Sequence, residues 1–199
     1  MISRAPNLMT GLACAMVLCT PGQAPAAQSR TTAVVLHVDN YARIPPPLLV
    51  RAEAEVRRIY ASIGLHTVWI VDNELDGIRQ PADGRHLRVL LLCQEMSARK
   101  IAADRVENNV LGQAGYVTGR AYIFVPRVMQ VSELMGREPS LVLGRVLAHE
   151  IGHLLLGRPG HSRKGLMRPG LDFRSRAADR FTRAERAEIK LTLAIRPRT

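Results

Sequence analysis

Cysteine is scarce: the 199-residue chain contains only Cys14, Cys19 and Cys93. The first two fall in an N-terminal stretch that reads as a targeting segment, which leaves Cys93 alone. A single cysteine cannot close an internal disulfide, so a small disulfide-stapled scaffold is excluded. Inside the apolar run VLLLC, Cys93 is expected to be a small buried apolar residue. Aromatic residues make up only 4% of the chain, so the core has to be built from Leu, Val, Ile and Ala. Lysine is limited to Lys100, Lys164 and Lys190; nearly all the basic charge is arginine. The arginines are scattered, with no aromatics interleaved, which argues for a solvated basic surface and against a specific nucleic-acid interface. There is no internal repeat and no long low-complexity linker.

What is present begins with export signals. Arg4 precedes the short apolar run LMTGLACAMVLC, and APAA at Ala24–Ala27 supplies small residues at cleavage-site spacing. This pattern predicts a Sec-type signal peptide over residues 1–27 and a single domain over 28–199. The apolar run is too short to span a bilayer, so no stable membrane insertion is expected after cleavage. The expected location is periplasmic or secreted. The formal charge of +11 falls to +10 without Arg4, enough for adhesion to anionic material at a cell surface. A hydrophobic fraction of 47% over this length suffices for one sizeable core, and a monomer is expected.

Hydrophobic periodicity outlines the elements. TTAVVLHVDN (31–40) is β-branched and predicts a first strand. A helix follows the prolines of IPPPLL, with Leu49, Ala52, Val56, Ile59, Tyr60 and Ile63 on one face and Gly64 as its stop. HTVWIV (66–71) and HLRVLLLCQ (86–94) predict two more strands, separated by the turn-rich DNELDGIRQPADGR. LGQAGYV (111–117) and AYIFVP (121–126) predict a hairpin. From Ser140, as N-cap, an apolar helix runs to Gly157, and Thr182 with Glu185 forms a capping-box pattern for a last helix. The order implies an α+β domain with one mixed sheet packed on helices.

The chemistry lies in VLAHEIGHLLLGRPGHSRKGLMRPG, residues 146–170. His149 and His153 are spaced i, i+4, so on a helix they share a face and can chelate one zinc ion. Glu150 is then placed to reach a water at the metal without ligating the metal. A catalytic zinc site takes three protein ligands and keeps one position open. Gly157 and the RPG that follows can reverse the chain and return His161 to the metal. Asp172 is the second candidate for the third ligand, and Glu185 and Glu188 are further ones. Two histidines and a glutamate on so apolar a helix would be costly without a partner, which favours a metal over a satisfied core cluster.

HEIGHLLLGRPGHSRKGLMRP resembles the zinc site of metzincin metalloproteases, especially the matrixin-like branch. His149, Glu150 and His153 match the start of that motif, and Gly157 and His161 match its glycine and third histidine. Both spacings around Gly157 are one residue longer than in the family. Gly165, Leu166, Met167 and Pro169 match the Met-turn. The resemblance implies a zincin-like, metzincin-type domain with a mostly parallel mixed sheet, an active-site helix and a C-terminal helix. It implies Zn2+ held by His149, His153 and His161, Glu150 as general base, Gly157 as the turn and Met167 as a hydrophobic floor. It also implies an edge strand of Leu111, Gly112, Gln113, Ala114, Gly115, Tyr116 and Val117 that binds a peptide or protein substrate. Val146 and the segment after Met167 would line a primed-side pocket, where Arg168 would favour acidic side chains. The expected activity is that of an exported zinc endopeptidase. The competing reading is a non-catalytic zinc-binding interaction or adhesion module, which a fourth protein ligand would favour.

Overall fold

The structure is a computed structural model, described here over residues 32–71, 85–175 and 179–195. The expected signal segment and most of the turn-rich loop, residues 72–84, lie outside the described residues.

A five-stranded sheet carries the domain, in the order β2-β1-β3-β5-β4. Its strands are β1 (Thr32–Asp39), β2 (Leu65–Val71), β3 (Arg85–Leu92), β4 (Gly112–Gly115) and β5 (Arg120–Phe124). β1 runs parallel to β2 and β3, and β3 runs parallel to β5. Only the edge strand β4 is antiparallel. The central strands are the continuous apolar runs that burial on both faces requires. In register, Val38, Val89 and Ala121 stand side by side across three strands and face the helices.

The helices are α1 (Pro46–Ala61), α2 (Gln94–Asp104), α3 (Val125–Leu134), α4 (Pro139–Leu156) and α5 (Arg183–Ile195). α1 begins on prolines and buries Leu49, Ala52, Val56, Ile59 and Tyr60. Gly64, at φ +78°, turns the chain into β2. α4 is buried at 16 of its 18 positions, so it is a core helix rather than an amphipathic surface helix. It lies so close to α1 that a Cβ at Gly144 would be 2.8 Å from the Ala52 carbonyl oxygen. No helix among the described residues is long and apolar enough to cross a membrane.

Five local expectations are corrected. α2 occupies what reads as a polar connection, because it buries only Ser97 and shows almost no apolar periodicity. α3 begins inside the run AYIFVP, where Pro126 starts a helix rather than ending a strand. The hairpin is accordingly shorter, with Tyr116 and Val117 in its turn and Leu111 just ahead of β4. Ser140 does not cap α4; the N-cap is Glu138, two residues earlier, and the Ser140 hydroxyl bonds the Glu138 carboxylate at 3.2 Å. Cys93 is half-buried at the start of α2 rather than buried within β3.

Candidate metal centre

The i, i+4 spacing on α4 sets the His149 and His153 rings 4.8 Å apart, centroid to centroid. Gly157 ends the helix in the left-handed region at φ +67°, its N–H bonding the His153 carbonyl at 3.0 Å. Gly160, at φ +109°, completes the reversal. His161 returns to 5.2 Å from the His149 ring and 4.9 Å from the His153 ring. One potential ligand atom from each residue lies within 4.8 Å of those of the other two, and the cluster can hold a metal ion. Among the described residues no fourth His, Cys, Asp or Glu joins it.

The other candidates for third ligand are engaged elsewhere. Asp172 turns a carboxylate oxygen to the Arg174 amide at 2.8 Å. Glu188 takes a two-pronged bond from Arg158 at 2.6 and 2.9 Å. Glu185 accepts the Ser162 hydroxyl at 2.5 Å and the Thr182 amide at 2.7 Å.

Hydrogen bonding prepares the imidazoles to act as ligands. The Nδ1–H of His149 donates to the Leu166 carbonyl at 2.8 Å, which leaves the lone pair on Nε2. His153 has its own bond to the Arg158 backbone. The two Nε2 atoms face each other at 3.1 Å. Without a cation, two lone pairs would meet there. Two ligands of a tetrahedral zinc, bound at about 2.0–2.1 Å, are separated by about 3.3 Å. The spacing and the donor set both fit that ion.

Burial sets the charges. It pushes His149 and His153 down to about 4 and also lowers His161, so the rings are neutral near neutral pH. Burial pushes Glu150 up to about 8. The Glu150 side chain lies against the backbone of the edge strand, in space that only glycine leaves open. A Cβ at Gly112 would be 2.7 Å from its Cγ and 2.9 Å from its Oε1.

The loop after His161 is tied down at several points. The Ser162 amide bonds the Met167 carbonyl at 2.7 Å. The Leu166 N–H bonds the Arg180 carbonyl at 2.9 Å, and its C=O takes the His149 ring. Gly165 combines φ +76° with a close approach, since a Cβ there would be 2.4 Å from the Arg180 carbonyl oxygen. Met167 is buried behind α4, where a Cβ at Gly152 would be 2.5 Å from its sulfur.

A cleft of about 550 Å³ opens over the cluster. One wall is Leu111–Ala114 with Tyr116; another is apolar, with Val131, Met135, Val146, Leu171 and Phe173. Arg168 is not part of the lining, and Val117 is exposed outside it. The Phe124 amide bonds the Leu111 carbonyl, which makes 111/124 a hydrogen-bonded pair. Antiparallel alternation then turns the N–H and C=O groups of Gly112 and Ala114 outward along the open edge.

Sequence reasoning placed Gly112 on the edge strand but missed its close approach to Glu150, and it missed Gly152 and the bond from Ser162 to Glu185. LGQAG reads as part of a strand, and the contact that requires its first glycine comes from a helix residue 38 positions away. The capping-box signature did mark Glu185, for only one of its two tasks.

No protein-family model and no curated protein matches the chain. Among solved structures it is similar to a zinc-dependent peptidase from Methanocorpusculum labreanum (strain Z). That similarity has a TM-score of 0.49 and 19% sequence identity, and covers 78% of this chain and 99% of the other.

Proposed function

We propose that this chain is a zinc-dependent endopeptidase of metzincin type. One observation carries the reading: three neutral imidazoles converge beside a buried carboxylate that lies directly against an unpaired sheet edge. His149, His153 and His161 would hold zinc. When bound, zinc acidifies water and polarises a carbonyl oxygen. A dication at the three imidazoles would favour the ionised form of Glu150 against the burial that raises it; that carboxylate would take the proton of the attacking water and deliver it to the leaving amine nitrogen. An extended peptide pairs with Gly112 and Ala114 through its backbone. The apolar wall of Val131, Met135, Val146, Leu171 and Phe173 favours a large apolar substrate side chain. The acidic preference expected from Arg168 is withdrawn, because Arg168 does not reach the lining. The reading includes a signal peptide over 1–27, a single catalytic domain over 28–199, a periplasmic or secreted location and a monomeric state.

Elemental analysis of the mature protein and of His161→Ala tests the site, alongside chelator-sensitive cleavage of a peptide library. The expected result is one zinc per chain, weakened in His161→Ala, with cleavage abolished in a Glu150→Gln variant that keeps its zinc. Zinc without any cleavage would favour the non-catalytic binding module instead.

A further inference from the structure

The metal cluster is held from outside by the chain around the first turn of α5. Arg180 bonds the Leu166 amide, and the Leu166 carbonyl orients His149. Glu185 performs the matching task for the loop that carries His161. Its side chain is only 1% exposed. One oxygen takes the Thr182 amide at 2.7 Å and completes the capping box, in which the Glu185 amide bonds the Thr182 hydroxyl at 3.3 Å. The other oxygen takes the hydroxyl of Ser162, the neighbour of His161, at 2.5 Å. A helix cap uses only the first of these bonds.

The chemistry around this carboxylate points to a second role. Burying a carboxylate is costly unless its charge is answered. The Ser162 hydroxyl and the Thr182 amide are both neutral, and the Arg158 guanidinium forks onto Glu188 instead. A divalent cation at the three imidazoles would supply the missing opposite charge.

We infer that Glu185 is a positioning residue of the metal centre: through Ser162 it fixes the loop bearing His161, and its buried negative charge strengthens cation binding. This rests on the zinc reading above. It adds a layer to it, since partners behind the ligands commonly set affinity by about 10- to 100-fold.

The test is zinc affinity of the full chain by competition with a chromophoric chelator, together with the visible spectrum of the cobalt(II)-substituted protein. Glu185→Gln keeps the shape and removes the charge. Ser162→Ala removes the link, and Ser162→Thr retains the hydroxyl. Thr182→Ala breaks the other half of the capping box and controls for simple loss of the helix cap. We expect Glu185→Gln and Ser162→Ala each to weaken zinc by about 10- to 100-fold and to alter the cobalt spectrum. Ser162→Thr and Thr182→Ala should keep wild-type affinity. Unchanged affinity in both Glu185→Gln and Ser162→Ala overturns the inference, as does an equal loss in Thr182→Ala. If Glu185→Gln does not fold, the comparison of Ser162→Ala with Ser162→Thr decides alone. A wild-type chain that binds no zinc instead defeats the three-histidine reading itself.

Discussion

Gly112 on the edge strand and Glu150 on α4 occupy one space: a Cβ at Gly112 would stand 2.7 Å from Glu150 Cγ. Glu150 is buried, so it cannot swing into solvent to make room. Gly112→Ala therefore displaces the carboxylate without touching a ligand. Misplacement of a catalytic group by about 1 Å can cost about 100-fold in rate. The expected outcome is a loss of that order in kcat, with zinc content and KM near wild type, read by steady-state kinetics and elemental analysis. Unaltered kcat would show that Glu150 is not the base.

The pH dependence of the chelator-treated protein follows from the buried groups. Glu150 is raised from its ordinary 4.5 to about 8. Between those values the unfolded chain has released a proton that the folded chain keeps, so stability falls as pH rises through this window. His149 and His153 are lowered from 6.5 to about 4, so stability also falls as pH drops through that range. Glu150→Gln should flatten the upper limb and leave the lower one, when thermal unfolding is followed across pH. An unchanged upper limb would contradict the burial argument.

Arg145 lies one turn before His149 and is buried in an ion cluster. It bonds Asp179 at 3.1 Å and the Asp172 carbonyl at 2.9 Å, and contacts Glu55 at 3.4 Å. Removing one member of such a buried cluster costs about 3 kcal/mol or more. Arg145→Ala should lose about that much in denaturant unfolding, and Arg145→Lys should recover only part, because an ammonium cannot fork. A loss within the range of ordinary surface substitutions would mean that Arg58, which also bonds Asp179 at 2.7 Å, suffices.

The outward N–H of Ala114 has no partner inside the sheet by the alternation of the β4–β5 ladder. Ala114→Pro removes it at an edge, where proline is tolerated. Folding stability should hold while kcat/KM drops by roughly 5- to 10-fold, the worth of one hydrogen bond of about 1–1.5 kcal/mol. Equal kcat/KM for the two proteins would remove β4 from substrate binding.

The parts legible in the sequence were those with a period or a sharp local signal. The buried face of α1, the apolar length of α4, the positive-φ turn at Gly157 and the Thr182–Glu185 box all announce themselves locally. α2 did not, because a helix packed by a single serine has no apolar stripe to read. α3 was hidden by β-branched residues that continue past the end of β5. At the site, the helical spacing made the histidine pair readable. The glycines at 112 and 152 were not, because what forbids a Cβ there is a side chain distant in sequence.

The Leu166 peptide links His149 to Arg180 with one bond on each side. The assembled centre thus depends on a residue that follows all three histidines in sequence, just ahead of α5. During synthesis, the histidine pair on α4 emerges before the segment that orients it. A chain truncated before Arg180 would carry the whole zinc motif without the support that aims it. On the zinc reading, competence to hold the metal would therefore arrive only with α5.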